Sequence, residues 1–485
     1  MYSSQKSSDN NYPKFAVVGH PNKGKSSIVS SLALDDSVQI GDTPGTTQVK
    51  RGFPLKVDGK IIYELFDTPG FQRARRVLSW LNEQEVVSAD KRSDVVRAFI
   101  ATHRNDEKFR DEIELLEPIA NGAGIIYVVD ASKPYGSEYE VEMEILRWCG
   151  QPSMAILNLI GKEDYTEQWK SALGHYFRMV RTFNPIKATF REHMELLDSM
   201  SQLKEEWTKP IKTAISVLEN LQKQKVAQSI DSITNSIIKT LSFVYTHKIL
   251  GESATKEEEE KSKSIYREKI IKFEKEQEKN IEDIWNHRSI EKVESALVLD
   301  KIGLFSKESA SIFGLSKEQL IITGASAGAM GGLGIDILLG GGSLFLGSLI
   351  GGAVGGVGAM MGFDNLYEVK VLGKNIGSRE LSIGPMQNLN FSYILLGRSL
   401  YHASVIAKRS HAVRDAVNLE NKESFTGDII TSDMRKVLEK VHVKLRKGDE
   451  PKEEDIEAYK KVLMESRVFS CENTLTQPYQ SQSKQ

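Results

Sequence analysis

The chain has 485 residues, 40% hydrophobic and 27% charged, more than one ordinary domain holds and far from the composition of an intrinsically disordered protein. Lys and Arg total 64 against 66 Asp and Glu, and a formal charge of −2 lacks the basic excess of a protein wrapped in nucleic acid. The two cysteines, Cys149 and Cys471, lie far apart, which argues against a disulfide framework or a zinc site and for a reducing compartment.

In chain order, residues 1–12 read as a flexible polar tail with no apolar run to serve as a secretory signal. From 13 to 190, short apolar runs alternate with helical patterns, the order of an α/β domain with a mostly parallel sheet. Phe15 to Val18, Ile61 to Phe66, Ile125 to Val129 and Met154 to Leu157 are the expected buried strands. Asp58-Gly59 between two apolar stretches predicts an antiparallel hairpin at Pro54 to Ile62.

The first strand runs into Gly19-His20-Pro21-Asn22-Lys23-Gly24-Lys25-Ser26, a G-x-x-x-x-G-K-S phosphate-binding loop followed by a helical run from Ser27. Its chemistry follows from geometry. Glycines let backbone N–H groups curl around phosphates, Lys25 reaches the β and γ oxygens, and Ser26 offers a hydroxyl to Mg²⁺. Asp67-Thr68-Pro69-Gly70 ends the second strand, which places Asp67 to hold Mg²⁺ through water and Gly70 to offer its N–H to a γ-phosphate. Between them, Asp42-Thr43-Pro44-Gly45-Thr46-Thr47 supplies a threonine, taken as Thr47, to close over the metal. The expected nucleotide-contacting set is therefore Gly19, Asn22, Lys23, Gly24, Lys25, Ser26, Ser27, Asp67 and Gly70, with Ser26, Thr47 and Asp67 on the metal.

After Met154 to Leu157 comes Asn158-Leu159-Ile160-Gly161, which keeps only the Asn of the guanine-reading N-K-x-D pattern. Gly161-Lys162-Glu163-Asp164 keeps only its Lys and Asp. Asn158 is placed near the base and Asp164 is the candidate for the guanine edge. Phe183-Asn184-Pro185 is the nearest candidate for the final base loop. Phe71 follows Asp-Thr-Pro-Gly where Ras-like enzymes keep a water-orienting Gln, and Arg73, Arg75 and Arg76 read as a solvated face.

Residues 191–318 read as helical, with Tyr266, Ile270, Phe273, Ile281 and Ile284 near a helical repeat amid dense Lys and Glu, either an amphipathic stalk or a helix packed on its neighbours. Residues 319–363 are Gly-rich and apolar, with Asp336 the only charge. Gln319 to Leu339 and Ser343 to Phe363 are each long enough to cross a hydrocarbon core, turning at Gly340-Gly341-Gly342. Gly347, Gly351 and Gly355 offer a close-packing face. The alternative is a pair of Gly-rich helices packed within the protein. Residues 364–467 open with a hairpin of Tyr367 to Leu372 and Arg379 to Ile383, followed by a helix from Tyr393 to Ala416 and charged helices; 468–485 is a second tail. His402 and His411 lack the spacing of a compact metal-ligand pair.

G-x-P-N-x-G-K-S, then P-G-T-T, then D-T-P-G resembles the Era and TrmE branch of bacterial GTPases. Tyr127-Val128-Val129-Asp130, Glu142 to Trp148 and Asn388-Leu389-Asn390-Phe391 resemble bacterial GTPases bearing a C-terminal domain of unknown function. The resemblance implies a Ras-like P-loop G domain, GTP and GDP as ligands, hydrolysis of GTP with Lys25, Asn22 and Thr47 as the catalytic set, and a K⁺ ion held by Asn22. Together with the Gly-rich segment it implies a switch at the cytoplasmic face of the inner membrane, touching lipid or a protein partner. The alternatives are a cytoplasmic location, a nucleotide-dependent binding module with little hydrolysis, and an Era-like ribosome-assembly factor, which the composition does not support.

Overall fold

The computed structural model describes residues 12–33, 51–57, 60–84, 88–249, 254–285, 299, 301–316, 318–323, 367–373, 379–409, 425–466 and 468–469. These form two compact units, the first ending at Leu221 and the second beginning at Gln222.

The first unit is built on six strands: β1 (Lys14–Val18), β2 (Arg51–Val57), β3 (Lys60–Asp67), β4 (Gly124–Asp130), β5 (Ser153–Asn158) and β6 (Met179–Thr182), in spatial order β2-β3-β1-β4-β5-β6. The β2–β3 pair is antiparallel and every other pairing is parallel. A parallel sheet buries both faces, and its strands therefore read as continuous apolar runs; all seven residues of β4 are buried. Alternate residues serve opposite faces. Ala16, Val18, Tyr127 and Leu157 pack under α2 (Ala74–Asn82), α3 (Arg92–His103), α4 (Arg110–Ala120), α5 (Glu138–Trp148) and α6 (Thr166–Leu173). On the other face Phe15, Val17, Val128 and Ile156 pack under α1 (Lys25–Ala33) and α7 (Phe190–Ser201) and the first part of α8 (Glu205–Ser242).

That last contact moves the expected boundary at 190/191. Met194, Leu197, Trp207, Ile211 and Leu218 belong to the same apolar cluster as Phe15 and Val17, so this stretch completes the first unit. His193 fastens α7 to the phosphate-loop helix. Its Nδ1 lies 2.8 Å from the Thr189 carbonyl, which assigns that nitrogen as the donor and leaves Nε2 to accept the Ser31 hydroxyl; burial pushes the ring's pKa down.

The second unit is mostly helical, with α9 (Lys256–Ile284), α10 (Lys307–Phe313), α11 (Leu389–Arg409), α12 (Phe425–Ile429), α13 (Ser432–Lys447) and α14 (Glu453–Glu465). The expected hairpin is present as β8 (Tyr367–Gly373) against β9 (Arg379–Met386), and β7 (Tyr245–Ile249) joins as a third antiparallel strand in the order β7-β9-β8. Of the two readings of α9 the packed helix holds and the stalk does not: Tyr266, Ile270 and Ile281 are fully buried in the unit's core, so the repeat marks a packed face. Two ion pairs sit inside that core. The Arg398 guanidinium is satisfied by Glu274 at 2.5 and 3.2 Å and by the carbonyls of Ile302 and Leu299, while Arg446 meets Glu439, which also accepts the Tyr393 hydroxyl at 3.0 Å.

Of the expected Gly-rich hairpin, only residues 319–323 are described, and they are helical; 324–363 lie outside the described residues. Among the described residues no helix is long and apolar enough to cross a membrane.

Candidate nucleotide site

The C-terminal ends of β1, β3, β4 and β5 and the loops leaving them form one cluster, the usual position of a ligand crevice in an open parallel sheet. The loop after β1 is wound as an anion cradle requires. Asn22 adopts φ 62°, a left-handed conformation that Asn tolerates better than most residues, and Gly24 adopts φ 85°. A side chain at Gly24 is doubly excluded, because its Cβ would fall 2.4 Å from Asn158 Nδ2.

The Lys25 ammonium is folded back on this loop, donating to the carbonyls of Gly19 at 3.1 Å and His20 at 3.0 Å. Burial lowers its pKa to about 8, against the opposing pull of Asp67 and Glu142. Ser26 Oγ donates to Asp67 Oδ2 at 2.7 Å, which joins the loop to the end of β3. Hydroxyl and carboxylate in contact are hard oxygen donors of the kind Mg²⁺ takes beside phosphate oxygens and water, so these residues fit the ion. Thr68 Oγ1 donates to the Val17 carbonyl at 2.8 Å, and Gly70 closes on the loop so tightly that a Cβ there would lie 2.6 Å from the Pro21 nitrogen. Ser27 is half-buried in the first turn of α1, and Asn22 is exposed. Thr47, with the whole of 34–50, lies outside the described residues.

Lys23 differs from expectation. Its side chain is buried, with Nζ 4.0 Å from Asp130 Oδ2 and 5.8 Å from the centre of the Tyr139 ring, so only its backbone faces the loop. The Lys23 carbonyl accepts from Asn158 Nδ2 at 3.2 Å, tying the phosphate loop to the end of β5. Asp164 is exposed and its Oδ1 accepts from the Thr166 N–H at 2.8 Å, a local turn that starts α6. Hydrogen bonds from Thr166 hold its carboxyl below the usual range. Asn184 Nδ2 donates to the Leu159 carbonyl at 2.7 Å, which brings the 183–187 loop to the 158–161 loop.

Three residues outside the sequence expectation shape the site. Glu142 on α5 accepts the Tyr127 hydroxyl at 2.8 Å and pairs with His20 Nδ1 at 2.9 Å, bracing the second residue of the phosphate loop. Burial and Glu142 together push the Tyr127 pKa up. Glu112 on α4 accepts the backbone N–H groups of Gln72 at 3.0 Å and Arg73 at 2.5 Å, immediately beyond Asp67-Thr68-Pro69-Gly70. Ser132 Oγ donates to Asp130 Oδ1 at 2.5 Å. Glu142 opens one of the segments that carry the family resemblance, but its contact with the phosphate loop is not marked there, and no motif marks Glu112 or Ser132. Phe71 is buried and Arg73, Arg75 and Arg76 are exposed, with Arg73 donating to the Lys108 carbonyl at 2.5 Å. Among the described residues no group of three or more His, Cys, Asp or Glu is placed to hold a metal.

Residues 170–466 match the family described as Domain of unknown function (DUF3482), and residues 14–158 match the family described as 50S ribosome-binding GTPase. GTPase Der of Thermoanaerobacter sp. (strain X514) is 28% identical over 213 residues, 42% of this chain and 42% of that protein. GTPase Der of Agathobacter rectalis is 37% identical over 97 residues, 19% of this chain and 22% of its own length. The chain thus spans less than half the length of these curated relatives. A solved structure of Aquifex aeolicus Era bound to GDP and AlF4⁻ is 16% identical with a TM-score of 0.27, covering 39% of this chain and 55% of that one. The first unit is an α/β Ras-like P-loop domain, similar at low identity to part of GTPase Der, and the C-terminal region is mostly helical.

Proposed function

The chain belongs to the family of the domain of unknown function DUF3482, matched over more than half its length, and on that premise we propose that it is a magnesium-dependent GTP-hydrolysing switch. The observation that carries this reading is the convergence of Lys25, Ser26 and Asp67 at one loop. Bound nucleotide draws the Lys25 ammonium off the Gly19 and His20 carbonyls onto the β and γ oxygens, a charge-assisted contact in a site already shielded from water. Ser26 and Asp67 would hold Mg²⁺, with a threonine at 47 as third partner, and the ion would neutralise charge on the phosphates. Backbone N–H groups from Asn22 to Ser26 cradle the phosphates, and the Gly70 N–H senses the γ-phosphate. Water attacks the γ-phosphorus as the bond to the GDP oxygen breaks, giving GDP and phosphate. Phe71 provides no amide to orient that water; Asn22, exposed and left-handed, would hold K⁺ beside the phosphates, where the ion would offset developing charge as an arginine finger does. Asn158 faces the base.

Phosphate release from GTP by the full chain tests this reading. Turnover is expected with Mg²⁺ and lost with EDTA, and Lys25→Ala weakens GTP binding on the order of a hundredfold. Tight binding retained by Lys25→Ala sinks the assignment. Equal turnover in Na⁺ and K⁺ at matched ionic strength removes the role of Asn22, and binding without turnover leaves the binding-module alternative.

The switch works at the cytoplasmic face of the inner membrane through Gln319 to Phe363, supported by the segment's composition and by Ile321 and Ile322, exposed at its entrance. Extraction by carbonate without detergent would overturn this. A ribosomal partner is the second reading, favoured by the description of the family matched at 14–158. Saturable co-sedimentation with ribosomes that survives raised salt would establish it.

A further inference from the structure

The base end of the site lacks the carboxylate that reads guanine, and the reason is steric. Gly161 stands three residues after Asn158, where the N-K-x-D pattern carries its Asp. A Cβ at Gly161 would lie 2.9 Å from Ser132 Oγ and 3.1 Å from Ser132 Cβ. Ser132 cannot readily swing aside, because Asp130 Oδ1 accepts both its hydroxyl at 2.5 Å and its backbone N–H at 3.1 Å. Asp164 lies three residues further on, where its Oδ1 accepts the Thr166 N–H at the start of α6.

Two exposed isoleucines are carried on the loops that meet at this end, Ile160 and Ile186. Leu159 turns inward and packs against the core beneath α6, while Ile160 faces out with 53% of its surface exposed. Its Cδ1 lies 3.9 Å from where a Cβ on Gly24 would be, so its side chain lies beside the phosphate loop. Asn184 donates to the Leu159 carbonyl and accepts the Ile186 N–H at 3.0 Å, which ties the second loop to the first with Ile186 44% exposed. Large aliphatic side chains left in water beside a phosphate cradle gain by covering an aromatic ring, and a nucleotide seated on that cradle brings one.

We infer that Ile160 and Ile186 form an apolar platform on which the purine base stacks, and that the 2-amino group of guanine is not read by a carboxylate. This rests on nucleotide binding at the phosphate loop. Hypoxanthine differs from guanine only in lacking that amino group, so inosine nucleotides isolate the contact. A site built around a buried hydrogen bond to the amino group would reject them strongly, whereas a stacking platform does not distinguish them.

The test is displacement of a fluorescent GDP analogue from the full-length protein by GDP and by IDP, with Mg²⁺ present. Wild type is expected to bind the two within about threefold, and Ile160→Ser and Ile186→Ser each to weaken both by about three- to tenfold while leaving their ratio unchanged. Ile160→Leu restores affinity, which separates loss of the platform from loss of the fold. IDP binding more than tenfold weaker than GDP overturns the inference, the more directly if Asp164→Asn erases the difference. Unchanged affinity in both Ser variants also overturns it, with nucleotide binding itself intact. Failure of the wild type to bind any nucleotide overturns the GTPase reading and this inference together.

Discussion

At the phosphate end of the site, contacts are made by residues close in sequence and largely through backbone: Lys25 to the Gly19 and His20 carbonyls, with Ser26 reaching Asp67 at the end of the adjacent strand. At the base end, they are made between loops that follow different strands: Asn158 to Lys23, Asn184 to Leu159, and Ser132 against Gly161. The first arrangement is charged and demands particular residue types at fixed spacing. The second is a matter of shape, which different residues can satisfy. Phosphate chemistry thus constrains sequence far more tightly than base stacking does, and the two ends should respond to different perturbations.

The largest expected effect is confined to the phosphate end. Ser26→Ala removes a hydroxyl from the Mg²⁺ position and should weaken Mg²⁺-dependent GTP binding by roughly 10- to 100-fold. Titration of GTP affinity against Mg²⁺ measures it, and an unchanged Mg²⁺ dependence would break the metal assignment. The ratio of GDP to IDP affinity should not move, because Ser26 lies away from the base.

Proton linkage gives a second, smaller separation. Lys25 titrates near 8 in the unliganded protein, down from its ordinary 10.5, because burial disfavours the charge. Phosphates favour the ammonium, so above pH 8 binding must take up a proton and affinity falls, by up to about tenfold per pH unit until the bound-state pKa is reached. Stability runs the other way. Between about 8 and 10.5 the unfolded chain holds the proton that the folded one has lost, so the nucleotide-free protein should gain stability as pH rises through that window. Calorimetry in buffers of different ionisation enthalpy reads the proton uptake directly; none at pH 9 would place the Lys25 charge elsewhere.

The same contrast explains what was legible in the sequence. The phosphate loop, Asp67 and the strands around them could be read because their spacing and apolar runs are local signals, and the parallel sheet follows from continuous burial of β1, β4 and β5. The displacement of Leu159 into the core and of Ile160 onto the surface was not readable, since it depends on Asn184, 25 residues away, and on the space left by Gly161. In the second unit, the repeat of Tyr266, Ile270 and Ile281 announced a helix and left both a stalk and a packed face open, which only the tertiary contacts decide. Arg398 finds Glu274 across 124 residues, and a charged residue in a sequence carries no mark of so distant a partner. The end of the first unit was misplaced for a similar reason: Trp207 and Leu218 sit in a helical pattern that reads identically whether its apolar face meets a sheet or another helix.

The smallest effect concerns Glu112, which touches neither the phosphate loop nor the 158–161 loop. It is fully buried on α4, and one carboxylate oxygen caps the N–H groups of Gln72 and Arg73 just beyond the Gly70 turn. A carboxylate accepting two backbone donors makes charge-assisted bonds, and losing it should cost about 1–3 kcal/mol in urea unfolding of the Glu112→Ala protein. Glu112→Gln keeps an acceptor oxygen in place and should recover part of that loss. The functional consequence is smaller than the structural one. Freeing the loop changes where the Gly70 N–H rests, so affinity for GTP should fall by about two- to fivefold. GDP, which has no γ-phosphate for that N–H to meet, should bind as before. An equal loss for GDP and GTP would show that Glu112 only supports the fold. A loss restricted to GTP, with the ratio of GDP to IDP unmoved, would place the helix α4 contact on the phosphate side of the site alone.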